Sequence, residues 1–188
     1  MQRTLRSLAA PLAAISALVL AACAGTMPAM QASVDNATLP EPVRAPAGHK
    51  VSMVTTGAGE ITYECREKKD TAGQFEWAFV GPVATLADRS GKIVGKYYGG
   101  PTWEAADGSK VGGKQVAVAP NGSGNIPLQL VKADPAMGAG AMNGVTYIQR
   151  LKTEGGVAPA AACNVASRGS KQQVPYRADY VFYTVASM

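Results

Sequence analysis

The sequence predicts an all-β domain, an antiparallel β-sandwich or partly open β-barrel held by one disulfide. Three observations predict it. Short runs of alternating apolar and polar residues recur through the chain, Gly- and Pro-rich turn signals separate them, and no segment shows the apolar stripe of an amphipathic helix. Stacking or closing sheets is how all-β chains hide strand edges, hence the two architectures.

The chain has 188 residues. Residues 1–22 carry Arg3 and Arg6, an apolar run from Leu8 to Leu20 broken only by Pro11 and Ser16, and then small residues. This is the pattern of a signal peptide, and the run is too short for a transmembrane helix. Leu20-Ala21-Ala22-Cys23 resembles the lipobox of bacterial lipoproteins, in which the cysteine becomes the lipidated first residue. Cleavage after Ala22-Cys23-Ala24 also fits a small-x-small rule and would discard Cys23. Either way the chain is exported, and lipidation places it on the periplasmic side of a membrane, with non-acidic Ala24 resembling outer-membrane cargo. Residues 23–48 are rich in alanine and proline and read as a flexible lipid-anchored tether.

Residues 49–188 are long enough for a single β domain with its own core. Within it, Val51, Met53 and Thr55 alternate up to Gly57-Ala58-Gly59, after which Ile61, Tyr63 and Cys65 alternate, which reads as a hairpin. Phe75, Trp77 and Phe79 form a strand that Gly81-Pro82 is expected to end. Val83 to Leu86 leads to a turn at Asp88-Arg89-Ser90-Gly91 and a strand from Ile93 to Tyr98. Asp107-Gly108-Ser109 turns the chain into 110–119, where two early glycines suggest a bulge. Ile126, Leu128 and Leu130 alternate around Pro127, which predicts an edge strand. Residues 135–143 read as a loop, while Val145 to Lys152 and Tyr176 to Val185 alternate cleanly. The total is about nine or ten strands, a number to set against the strand counts usual for such folds.

In an exported protein Cys65 and Cys163 are expected to form the disulfide, Cys23 being the anchor. Loss of the signal peptide lowers the net charge from +5 to +3, and the basic residues are scattered. That excludes the basic stripe a nucleic-acid surface needs.

Three blocks resemble the exported family known as domain of unknown function 3455. The first is Gly95-Lys96-Tyr97-Tyr98-Gly99-Gly100-Pro101-Thr102-Trp103-Glu104 with Asp107-Gly108-Ser109. The second runs from Ile148 to Gly156 with Ala158-Pro159 and Cys163, and the third from Val174-Pro175-Tyr176 to Phe182-Tyr183. The resemblance spans about Leu39 to Tyr183 and implies export without implying an activity. The family pattern commonly has a histidine where this chain has Tyr97, which puts in doubt any chemistry relatives conduct through it.

Chemistry-bearing constellations are sparse. The single histidine, His49, offers no triad, and no Gly-x-Ser-x-Gly elbow is present. With the cysteines bonded, the ligand set for a zinc or copper site is missing, so neither metal nor cofactor is expected. Glu104 and Asp107 are the nearest thing to a hydrolytic carboxylate pair. Tyr97, Tyr98 and Trp103 share one segment with Gly99, Gly100 and Pro101, and aromatic faces beside polar groups suit sugars or small apolar ligands. Arg150 offers an anion anchor or a partner for Glu104 or Asp179. The candidate binding residues are therefore Tyr97, Tyr98, Trp103, Glu104, Asp107 and Arg150. The expected function is a non-enzymatic envelope lipoprotein that binds a glycan, a small apolar ligand or a protein partner. The alternatives are a hydrolase of envelope polymers and a structural scaffold domain with no small ligand.

Overall fold

Side chains on a strand point alternately to its two faces, so a closed sheet sorts each strand into an inner and an outer set. The computed structural model describes residues 34–187. The expected signal peptide, the expected anchor Cys23 and the beginning of the expected tether lie outside the described residues. Eight antiparallel strands follow one another: β1 (His49–Glu67), β2 (Phe75–Ala87), β3 (Ile93–Tyr98), β4 (Thr102–Ala105), β5 (Lys110–Ala119), β6 (Leu128–Ala133), β7 (Val145–Gly155) and β8 (Lys171–Val185). Each pairs with the next, and β1 also pairs with β8 from His49↔Val185 to Glu64↔Lys171. The all-β antiparallel expectation holds, and one sheet closes into a ring.

The strand count is lower than expected because two turn signals lie inside strands. Gly57 and Gly59 do not turn the chain; β1 runs through them for 19 residues. They are sites of close approach. A Cβ on Gly57 would meet the Tyr180 ring at 2.5 Å, and one on Gly59 would meet the Val83 carbonyl oxygen at 2.0 Å. Only glycine lets neighbouring chains come so near. Likewise Gly81-Pro82 does not end β2, which continues to Ala87 past a register shift opposite Thr62/Tyr63. Pro127 marks no edge either: it precedes β6, and a closed ring leaves no edge for it to protect.

The inner set forms the main core. From β8 it takes Tyr176, Ala178, Tyr180 and Phe182, and from β3, β4 and β5 Tyr97, Trp103, Ala105 and Val111. Four aromatic rings interlock at its centre. Tyr97 stacks on Trp103 with centroids 4.8 Å apart, and Trp103 meets Tyr180 and Phe182 edge-on at 5.7 and 6.4 Å.

The outer faces of β6, β7 and β8 are apolar as well, and the segment before β1 covers them. Val43 and Ala45 are buried there against Leu128, Leu130, Leu151, Val181 and Tyr183. The fully buried Gln149 fixes this segment: its amide donates to the Val43 carbonyl at 2.6 Å and to Asn36 Oδ1 at 3.0 Å, and it accepts from the Tyr183 hydroxyl at 2.7 Å. Asn36 in turn clamps both backbone groups of Ala45. The expectation of a flexible tether up to residue 48 therefore fails from Val34 onward. Composition hid the few residues that matter, because one buried valine and one amide network suffice to dock a short Pro-rich segment on a waiting apolar face.

Candidate functional site

The connections β1–β2, β3–β4, β5–β6 and β7–β8 all lie at one end of the ring, as antiparallel order requires. Cys65, near the end of β1, is bonded there to Cys163 of the β7–β8 connection, with Cα atoms 5.5 Å apart. The same connection accepts a hydrogen bond from Trp77 Nε1 at Ala161 and one from the Tyr63 hydroxyl at Gly156. At this end the core stops short of the rim and leaves a cavity of about 390 Å³.

Its walls come from nearly the whole circumference. Ile61 and Tyr63 of β1, Pro82 of β2, Tyr97 of β3 and Ile126 supply buried apolar and aromatic lining, with the more exposed Phe79 and Pro101 beside them. Gly113 is part of the wall, and a Cβ there would strike the Lys132 carbonyl and the Val131 side chain, both at 2.6 Å. Three longer polar side chains interrupt the apolar lining. Gln129 donates to Gln115 across β5 and β6 at 2.6 Å. Arg150 stands beside Gln129 in the β6–β7 register, and its Nε and Nη2 both donate to the Pro127 carbonyl, at 3.2 and 2.9 Å.

The six expected binding residues divide into three places. Tyr97 and Arg150 line the cavity, and Trp103 lies beneath it, buried against Tyr97. Tyr98 and Glu104 face outward. The Tyr98 hydroxyl donates to Glu104 Oε2 at 2.8 Å, and Lys96 and Lys110 reach the same carboxylate at 3.3 and 3.2 Å. Asp107 closes the β4–β5 turn at the other end of the ring, accepting from Ser109 and from the Ala141 backbone. Arg150 pairs with neither Glu104 nor Asp179. Glu104 is committed to the two lysines, and Asp179 accepts from Thr56 and pairs with Lys152.

The electrostatics separate these groups further. The Tyr98 hydrogen bond, followed by those from Lys110 and Lys96, holds the Glu104 carboxyl below the ordinary carboxylate range. Ser109 and the Ala141 backbone do the same for Asp107. Hydrolysis by a carboxylate pair needs one acid pushed upward so that it keeps a proton, and both of these are pulled downward. His49 packs edge-on against Tyr147, ring centroids 4.9 Å apart, and its Nδ1 lies 3.1 Å from the Pro46 carbonyl. Among the described residues no group of three His, Cys, Asp or Glu side chains is placed to hold a metal ion.

With this geometry in view, the comparison with protein families is specific: residues 46–184 match the family described as Protein of unknown function (DUF3455). The chain belongs to this family. No curated protein and no solved structure shows significant similarity to it. In this DUF3455 chain the matched region takes in all eight strands except the last residue of β8, and so contains the whole cavity.

Sequence reasoning missed Tyr63, Gln115, Ile126 and Gln129 as cavity residues. A signal was present for the polar ones. Gln129 shares its strand face with Val131, and Arg150 shares its own with Ile148, both core residues of the ring. A glutamine and an arginine in otherwise apolar inward sets mark where the core gives way to something wetter.

Proposed function

We propose that this protein is a non-enzymatic ligand-binding domain of the bacterial cell envelope, tethered through a lipidated Cys23, with its ligand site in the cavity at the disulfide end of the ring. The observation that carries the proposal is the cavity itself. A concave, mostly apolar space of about 390 Å³ with a few converging polar groups has the size and lining typical of small-molecule sites. Its aromatic wall, built from six of the eight strands, favours a small apolar ligand over an extended polymer. Export is supported by the signal-like residues 1–22 and fits a bonded Cys65–Cys163 pair, which persists in oxidising compartments.

Trp103 offers a built-in reporter, since it stacks on the cavity residue Tyr97. The chain has two tryptophans, so Trp77→Phe leaves Trp103 alone. Titrating that variant with small apolar compounds and glycan fragments is expected to give a saturable emission change with an apolar compound, weakened by Gln129→Phe, which puts a ring into the cavity. No response across the panel would contradict the site. Separately, Cys23→Ser is expected to move the protein from the membrane fraction to the soluble periplasm, and unchanged membrane association in that variant would refute the lipid anchor.

A further inference from the structure

Arg150 is the single cation in the lining of the cavity. It lines an apolar and aromatic cavity, is half-buried, and among the described residues has no carboxylate within ion-pair distance. Its two contacts to the Pro127 carbonyl hold the guanidinium in position without neutralising it. A structural arginine beside apolar lining is ordinarily paired with a carboxylate, because even a partly desolvated charge is stabilised by a counter-ion. Its charge reaches deep into the ring. Burial pushes the hydroxyls of Tyr63, Tyr97, Tyr176 and Tyr180 upward, and in all four the Arg150 charge opposes that shift. The Tyr97 hydroxyl makes no hydrogen bond to any described residue, so it is a neutral donor facing the same space.

Resting on the cavity being the ligand site, we propose that its ligand is a small apolar carboxylic acid, the carboxylate bound by the Arg150 guanidinium and the Tyr97 hydroxyl and the apolar body lying against Ile61, Tyr63 and Ile126. The planar fork of arginine suits a planar carboxylate. One charge on the protein calls for one on the ligand. The lining holds a single cation and no lysine, and the only helices among the described residues are three-residue turns, so nothing is in place for the second charge of a phosphate dianion.

The test is calorimetric titration of the full-length protein with 3-phenylpropionate, 3-phenylpropionamide and phenyl phosphate. The acid is expected to bind about tenfold or more tightly than the isosteric amide, as a charge-assisted hydrogen bond provides. Phenyl phosphate is expected to bind no more tightly than the acid. Arg150→Gln should remove the preference for the acid, and near-ultraviolet circular dichroism that stays native shows that the variant is folded. An acid that binds no better than the amide, a preference that survives Arg150→Gln, or tighter binding of phenyl phosphate overturns the proposal. The wild-type ratio decides even if the variant fails to fold. If the acid shows no preference over the amide and amide binding weakens in Gln129→Phe, the cavity stands as the site and the anion assignment falls; if neither acid nor amide binds, both fall together.

Discussion

Trp103→Ala is expected to lower the free energy of unfolding by about 3–5 kcal/mol, the range seen when a buried tryptophan is truncated in a packed core. Trp103 is 1% exposed and touches Tyr97, Tyr180 and Phe182, so its removal opens a void where four rings meet. The neighbours have little freedom to close it. Tyr180 already lies against Gly57 at a distance that no Cβ would allow, and Tyr176 and Tyr180 are joined hydroxyl to hydroxyl at 3.2 Å. Trp103→Phe should be far milder. The indole Nε1 is buried with no hydrogen-bond partner among the described residues, and an unsatisfied buried donor itself costs about 1–3 kcal/mol. Phenylalanine gives up some packing and removes that penalty. Urea denaturation of both variants checks the pair. A loss below about 1 kcal/mol for Trp103→Ala would mean that the aromatic cluster is not the centre of the core.

Removing the disulfide as Cys65→Ala/Cys163→Ala is expected to cost about 4–5 kcal/mol, because the bond closes a loop of 98 residues and restricts the unfolded chain accordingly. The native structure around it should change little. The β7–β8 connection keeps the backbone bonds from Cys65 N–H to the Ser170 carbonyl and from Gly169 N–H to the Cys65 carbonyl, together with the Trp77 and Tyr63 hydrogen bonds. The midpoint of urea unfolding should therefore fall while near-ultraviolet circular dichroism in the absence of urea stays native. An unchanged midpoint would show that the bridge does not restrict the unfolded ensemble, and a lost native spectrum would show that it holds the connection in place.

How far the sequence could be read depended on what each residue was responding to. The alternation in β8 was legible because Tyr176, Ala178, Tyr180 and Phe182 all answer to one core, and Cys65 could be placed on an inner face for the same reason. Gly57, Gly59, Gly81 and Pro82 misled because glycine and proline have two uses. They supply turn geometry, and they permit close approach or a register shift inside a strand. Only the partner strand decides which, and the partner is not in the local sequence. The cover over β6–β8 went unread because the covering segment is polar and Pro-rich. The clue lay on the other side, in Leu128, Leu130, Leu151, Val181 and Tyr183, an outer apolar face too extensive to stay in water.

The site was legible residue by residue but not as a constellation. Tyr97 and Tyr98 are neighbours in sequence and separate in space, Tyr97 in the cavity and Tyr98 bonded to Glu104 outside, because adjacent positions on a strand point to opposite faces. Tyr97 and Arg150 lie on β3 and β7, far apart in the chain, and closure of the ring brings them to one cavity. The closing pair, β1 with β8, depends on contacts between the two ends of the folded region, which no local pattern encodes.

The most direct test of the central claim, that this cavity is the ligand site, is amide chemical-shift mapping during titration with 3-phenylpropionate. Saturable shifts are expected, concentrated at Tyr63, Tyr97, Gly113, Gln129 and Arg150, the lining of one end of the ring. Shifts confined to the outer ladder of Lys96, Glu104 and Lys110, or to the Asp107 turn at the opposite end, would contradict it.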